Sequence, residues 1–222
     1  MTSPVPPAEL RARVLEAALR EPARSREHGA RHRALVVGLG FMVLVVIAVA
    51  IGPHLGQRPS TYIVALDVPW MLLAIGATWT GFGRGRSMIG RPALAKTAVV
   101  ALTPIALAAT GLVAARMWPQ TWQDASGPFE AARCMLVTFA LAAGPLAAFA
   151  GLRRQSDPIN PGLGGAALGT AAGAWGAVAL VILCAFARPS HLLIGHVLPV
   201  LMIAAAGAFV GSRALAIRAR DR

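Results

Sequence analysis

The chain has 222 residues, 56% of them apolar and 14% charged, with 21 basic residues against 9 acids. An apolar share above the ~45–50% of soluble globular domains, broken into long charge-free stretches, argues against an ordinary soluble domain. Two cysteines exclude a disulfide scaffold or a four-cysteine zinc site, and the net charge of +12 reads as membrane topology rather than nucleic-acid binding.

The first 33 residues are mostly polar, and no small-residue cleavage site leads from them into a soluble domain. Pro6-Pro7 opens a predicted helix over Ala8–Arg20, because proline is tolerated in a helix's first turn. On it Leu10, Val14, Leu15, Ala18 and Leu19 form a broad apolar face, with Arg13, Glu16 and Arg20 opposite; Arg11 intrudes on the apolar sector. Such a helix is marginal alone in water. It wants a partner, either another protein's groove or the membrane surface. Glu21-Pro22 ends it, and Arg24–Arg33 reads as a flexible basic linker. A plain solvated tether accounts for these residues equally well.

Six apolar runs follow: Ala34–Gly52, Tyr62–Thr80, Thr97–Ala115, Ala131–Leu152, Leu163–Ala187 and Leu192–Ser212. Each is close to the ~20 residues that cross a ~30 Å hydrocarbon layer. Breakers and polar residues separate them, from Gly52-Pro53 to Arg188-Pro189. The expected fold is therefore all-α: a polytopic bundle of six transmembrane helices over residues 34–212, a cytoplasmic segment 1–33 with a short amphipathic helix, and a cytoplasmic tail 213–222. Lys and Arg number seven in the N-terminal segment, four in the second loop, two in the fourth and four at the C-terminus, 17 in all. The other side holds only four, Arg58, Arg116, Arg133 and Arg188, which puts both termini in the cytoplasm. Trp118 and Trp122 then suit the outer headgroup belt.

Within the spans, Asp67 is the one acid well inside, near the outer end of the second. Intramembrane acids are costly and often functional; a satisfied structural acid is the equal alternative. Gly165, Gly169 and Gly173 recur every four residues in the fifth span, as Gly207 and Gly211 do in the sixth. Such spacing lets two backbones approach. Packing within the bundle explains it better than a homodimer does. Cys134 opens the fourth span and Cys184 closes the fifth, both at the outer end, where His54, His191 and His196 also lie. Thiolate and imidazole bind zinc or copper, and paired thiols form reversible disulfides. Against this, polar residues collect at helix ends anyway, and His191 and His196 stand about 140° apart on a regular helix. No phosphate loop, zinc-protease helix or carboxylate pair is present, so no enzyme activity and no cofactor are expected.

The run from Arg133-Cys134 through Gly144-Pro145, Arg153-Arg154, Asp157-Pro158 and Pro161-Gly162 to Cys184 resembles the negative-regulator-of-sigma-F family. The N-terminal pattern Leu10, Ala17, Leu19, Glu21-Pro22, Arg24, Arg26 is similar to that family's cytoplasmic segment. These are six-helix inner-membrane anti-sigma factors, related to the carotenoid-operon anti-sigma factors of myxobacteria. The resemblance implies a transcription regulator whose N-terminal segment holds an extracytoplasmic-function sigma factor at the bacterial inner membrane and releases it on a stress signal. It implies that Leu10, Val14, Leu15 and Leu19 contact the sigma factor and that Cys134 and Cys184 respond to the signal. His191, His196 and Pro199 stand where the family pattern has an aromatic-rich turn, which leaves metal, oxidant or light-derived radicals open as the signal. The expected partners are the sigma factor and the bilayer, with no direct contact to nucleic acid. The alternative is a small transporter or channel, or a metal-handling membrane protein. A transporter usually has internal repeats and mid-depth charges, of which this chain offers the off-centre Asp67 alone.

Overall fold

The computed structural model describes residues 9, 12, 16, 26–51, 59–82, 92–119, 128–153, 159–184 and 186–215, and among them there are helices and no strands. Leu10, Val14, Leu15, Leu19, His54 and Trp122 lie outside the described residues; Glu9, Ala12 and Glu16 are helical and exposed. The chain divides into two compact units, Met1–Leu35 and Val36–Arg222.

The elements are α1 (Arg26–Ile51), α2 (Ser60–Phe82), α3 (Ala93–Met117), α4 (Pro128–Leu152), α5 (Pro161–Leu183), α6 (Pro189–Leu192), a π-turn (Leu193–Val197) and α7 (Leu198–Ala214). Among the described residues, α2, α3, α4, α5 and the continuous run Pro189–Arg213 are long and apolar enough to cross a membrane; α1 contributes the shorter apolar stretch Gly38–Ile47. Because α1 begins at Arg26, residues 26–33 of the expected flexible linker are helical instead. Their physical reason is composition: Arg, Glu and Ala are good helix formers, and no proline interrupts them.

Proline sets the starts of these helices. Pro128, Pro161 and Pro189 occupy first-turn positions, where the missing N–H is no loss. Pro59 and Pro92 precede α2 and α3, and their carbonyls accept the first helical amides, Tyr62 N–H at 3.0 Å and Ala95 N–H at 3.1 Å. The spans also tolerate internal prolines, Pro69, Pro104 and Pro145. In an apolar medium, neighbouring helices re-satisfy the freed carbonyls.

At the centre runs α5, buried along nearly its whole length. It packs most extensively on α7, and then on α2, α4 and α3. A helix that is apolar all round is a buried helix, and Gly and Ala on every side let four neighbours come close. The face of α2 turned inward is a stripe at helical spacing: Tyr62, Leu66, Trp70, Ala74, Ala77 and Gly81. Polar side chains in the interior are spent on helix-to-helix ties. Trp70 Nε1 donates to Thr110 Oγ1 of α3 at 2.8 Å, and Trp175 Nε1 of α5 donates to Thr78 Oγ1 of α2 at 3.0 Å.

The repeated glycines of α5 and α7 face each other within the chain. A Cβ on Gly165 would strike the Gly207 carbonyl and Gly211 Cα; one on Gly207 would strike the Gly165 carbonyl and lie 2.9 Å from Gly169 Cα. On α1, a Cβ on Gly40 would sit 2.8 Å from the Gly144 carbonyl of α4. By contrast, nothing lies within 4 Å of the Cβ position of Gly76. We therefore expect Gly207→Ala to destabilise the bundle by about 1–3 kcal/mol through overpacking, and Gly76→Ala to be neutral or stabilising by up to about 1 kcal/mol. Thermal unfolding of the detergent-solubilised variants checks this, and equal midpoints for the two would refute the close α5–α7 contact.

A candidate metal centre of two thiols and two imidazoles

The bundle end where α4 begins and α5 finishes gathers the reactive side chains. Cys134 lies in the second turn of α4. Cys184 caps α5: its N–H donates to the Leu180 carbonyl at 2.8 Å, and its own backbone is already extended, with φ −92° and ψ 131°. Arg188 is extended too, as the residue before a proline prefers, and Pro189 restarts the helix. This short reversal returns His191 over the end of α5.

Cys184 is the hub. Its Sγ is 3.5 Å from Cys134 Sγ and 3.2 Å from His191 Nε2, and it accepts the Phe186 N–H at 3.4 Å. The His191 and His196 rings are 5.5 Å apart between centroids, and both side chains are buried. The His196 ring meets the edge of Trp70 at 6.1 Å, while that of His191 leans on Phe186 at 5.3 Å. One ligand atom from each of Cys134, Cys184, His191 and His196 lies within 4.8 Å of all the others. Around them is an apolar shell that includes Leu141, Leu180 and Leu183, with Leu44 and Ile47 of α1 packed against it.

Regular helix geometry sets the two histidines about 140° apart, and the structure departs from that geometry between them. Over Leu193–Val197 the chain widens into a π-turn, in which Leu198 N–H donates to the Leu193 carbonyl five residues back. That wider turn brings residues 191 and 196 to one side. Two neighbours missed by sequence reasoning complete the arrangement. Gly195 admits α4, since a Cβ there would lie 3.1 Å from Cys134 Cβ and 3.5 Å from His191 Nε2. Thr138 Oγ1 reaches the Gly195 carbonyl at 3.2 Å. The signal for the break was present in Gly195 and Pro199, four apart: a proline has no N–H to offer the carbonyl four residues back.

Chemically, two thiolates and two imidazoles suit zinc or copper and do not suit magnesium or calcium. A tetrahedral ion with bonds of about 2.0–2.3 Å keeps its ligand atoms roughly 3.3–3.8 Å apart. The cluster is thus within about 1 Å of a coordinating geometry. Four protein ligands would close the coordination sphere, as in structural rather than catalytic sites. The imidazole Nδ1 of His191 is buried without a hydrogen-bond partner among the described residues. Asp67 stands apart from this group: it is half-buried on α2, and its Oδ1 makes no hydrogen bond among the described residues.

The family model described as negative regulator of sigma F matches residues 16–216 of the chain. No curated protein and no solved structure matches it.

Proposed function

Because the chain belongs to the negative-regulator-of-sigma-F family, we propose that it is a membrane-bound anti-sigma factor that frees its sigma factor when a metal ion reaches the Cys/His cluster. The observation that carries the regulatory reading is the match over residues 16–216, nearly the whole chain. The metal reading is supported by four ligand atoms of the zinc and copper type within 4.8 Å of one another.

In this reading α1 is the first of six spans, and both termini are in the cytoplasm of a bacterium whose inner membrane holds the bundle. Residues 1–33 are the sigma-binding segment, with Leu10, Val14, Leu15 and Leu19 in contact with an extracytoplasmic-function sigma factor. The cluster then faces outward, where a metal ion can arrive without entering the cell. Cys134 and Cys184, whose sulfur atoms at 3.5 Å already have the spacing a tetrahedral ion needs, would hold it together with His191 and His196, and the thiols would give up their protons on binding. Leu44 and Ile47 pack against the apolar cluster that contains Cys184, and both belong to α1, Arg26–Ile51. A shift of the cluster therefore reaches the helix that leads to the sigma-binding segment.

The direct experiment is co-purification from solubilised membranes. A sigma factor should come with the protein and leave on addition of zinc or copper; a preparation that never carries one rules out sequestration. Orientation has its own check. Reporter fusions near Gln57, Gln123 and Ser190 should be active outside the cytoplasm, and those near Arg86 and Gln155 inside it. A cytoplasmic reporter active at Gln123 would overturn the six-span arrangement.

A further inference from the structure

The π-turn needs a reason to persist, because the same five residues could form a regular helix with better hydrogen bonds. In the α-helical register the donor to the Gly195 carbonyl is residue 199, and residue 199 is Pro199. The carbonyl is left to find a partner elsewhere, and in an apolar interior an orphaned carbonyl costs about 1–3 kcal/mol. Thr138 supplies that partner from α4. Its side chain is fully buried, and Oγ1 stands 3.2 Å from the Gly195 oxygen and 3.0 Å from the Cys134 oxygen. A hydroxyl has one hydrogen. The Cys134 carbonyl already serves the α4 ladder, whereas Pro199 has no N–H to give the Gly195 carbonyl, so the hydroxyl is needed more at Gly195.

We infer that Thr138 is a positioning residue for the metal centre: its hydroxyl latches the Gly195 carbonyl, holds the π-turn in register, and so aims His196 at the two thiols. This rests on reading the cluster as a metal site. The latch and the site share α4, since Thr138 lies one turn beyond Cys134. The residue that supplies a thiol and the residue that orients the distant imidazole therefore move as one body. Without the latch, the turn can relax towards a regular helix, in which His196 swings away from His191. The group acts through a backbone carbonyl and touches no metal ion, as outer-shell partners of metal ligands do.

The test titrates the full chain in detergent with Co(II) alone, read by thiolate-to-cobalt charge transfer and by the ligand-field bands of a tetrahedral ion. Thr138→Val removes the hydroxyl at nearly constant volume and should weaken Co(II) binding about ten- to hundredfold, while Thr138→Ser restores both affinity and spectrum. A wild-type titration by Thr138→Val overturns the latch, and leaves the metal site standing if Cys134→Ser abolishes the same bands. Should Cys134→Ser bind Co(II) as the wild type does, the site reading fails and the latch with it.

A second variant covers a Thr138→Val protein that folds poorly. In Thr138→Val/Pro199→Ala the carbonyl regains an intrahelical donor, so thermal stability should return while Co(II) affinity stays low. That separation is what a merely structural threonine would not produce. Recovery of affinity together with stability overturns the proposal.

Discussion

Replacing Leu15 and Leu19 together by aspartate is expected to abolish repression and make the target genes constitutive, while the bundle stays folded. Both side chains are on the apolar face predicted for Ala8–Arg20, on the same side as Leu10 and Val14. Apolar anchors at an interface are worth about 2 kcal/mol or more each when lost. Two of them correspond to roughly a thousandfold in affinity, before the cost of burying unpaired carboxylates is added. The bundle has its own interior, built on α5, α7 and α2, and the substitutions fall in the other compact unit, Met1–Leu35. Thermal unfolding of the membrane domain should therefore not move. The checks are a reporter driven by the sigma factor and co-purification of that factor from solubilised membranes. A double variant that still represses at wild-type level removes this helix from the contact.

Serine in place of either cysteine should have the opposite phenotype: repression stays and induction is lost. The hydroxyl keeps the shape of the thiol but is a far poorer ligand for a borderline-soft ion. We expect Cys184→Ser to be severe, because Cys184 Sγ contacts Cys134 Sγ, His191 Nε2 and the Phe186 N–H. His191→Ala and His196→Ala should weaken induction less, each removing one ligand of four. Isothermal titration with zinc, set beside induction of the reporter over the same metal range, measures both ends of the chain of cause. A serine variant that responds fully to the native signal takes the cysteines out of the mechanism.

The amino-acid sequence by itself determined that most of this chain falls in runs long and apolar enough to cross a membrane. It also located most helix ends to within a few residues, because hydropathy and proline act close to where they stand, but not the start of α1 at Arg26. Pro128, Pro161 and Pro189 start helices two or three residues ahead of the apolar runs read from Ala131, Leu163 and Leu192. The sequence brought Cys134, Cys184, His191 and His196 to one end of the bundle, since span length alone sets depth. It could choose between dimerisation and internal packing for the glycines of α5 and α7 only as a preference. The structure decides it, because those glycines meet one another. It also left the histidines about 140° apart, and here only the tertiary structure could speak. Whether Leu193–Val197 is a π-turn depends on an orphaned carbonyl at Gly195 finding the hydroxyl of Thr138, 57 residues away on another helix. A hydrogen bond of that range leaves no periodicity behind, so the convergence of two thiols and two imidazoles belongs to the packed bundle, whose α4 and α5 bring the sulfur atoms to 3.5 Å.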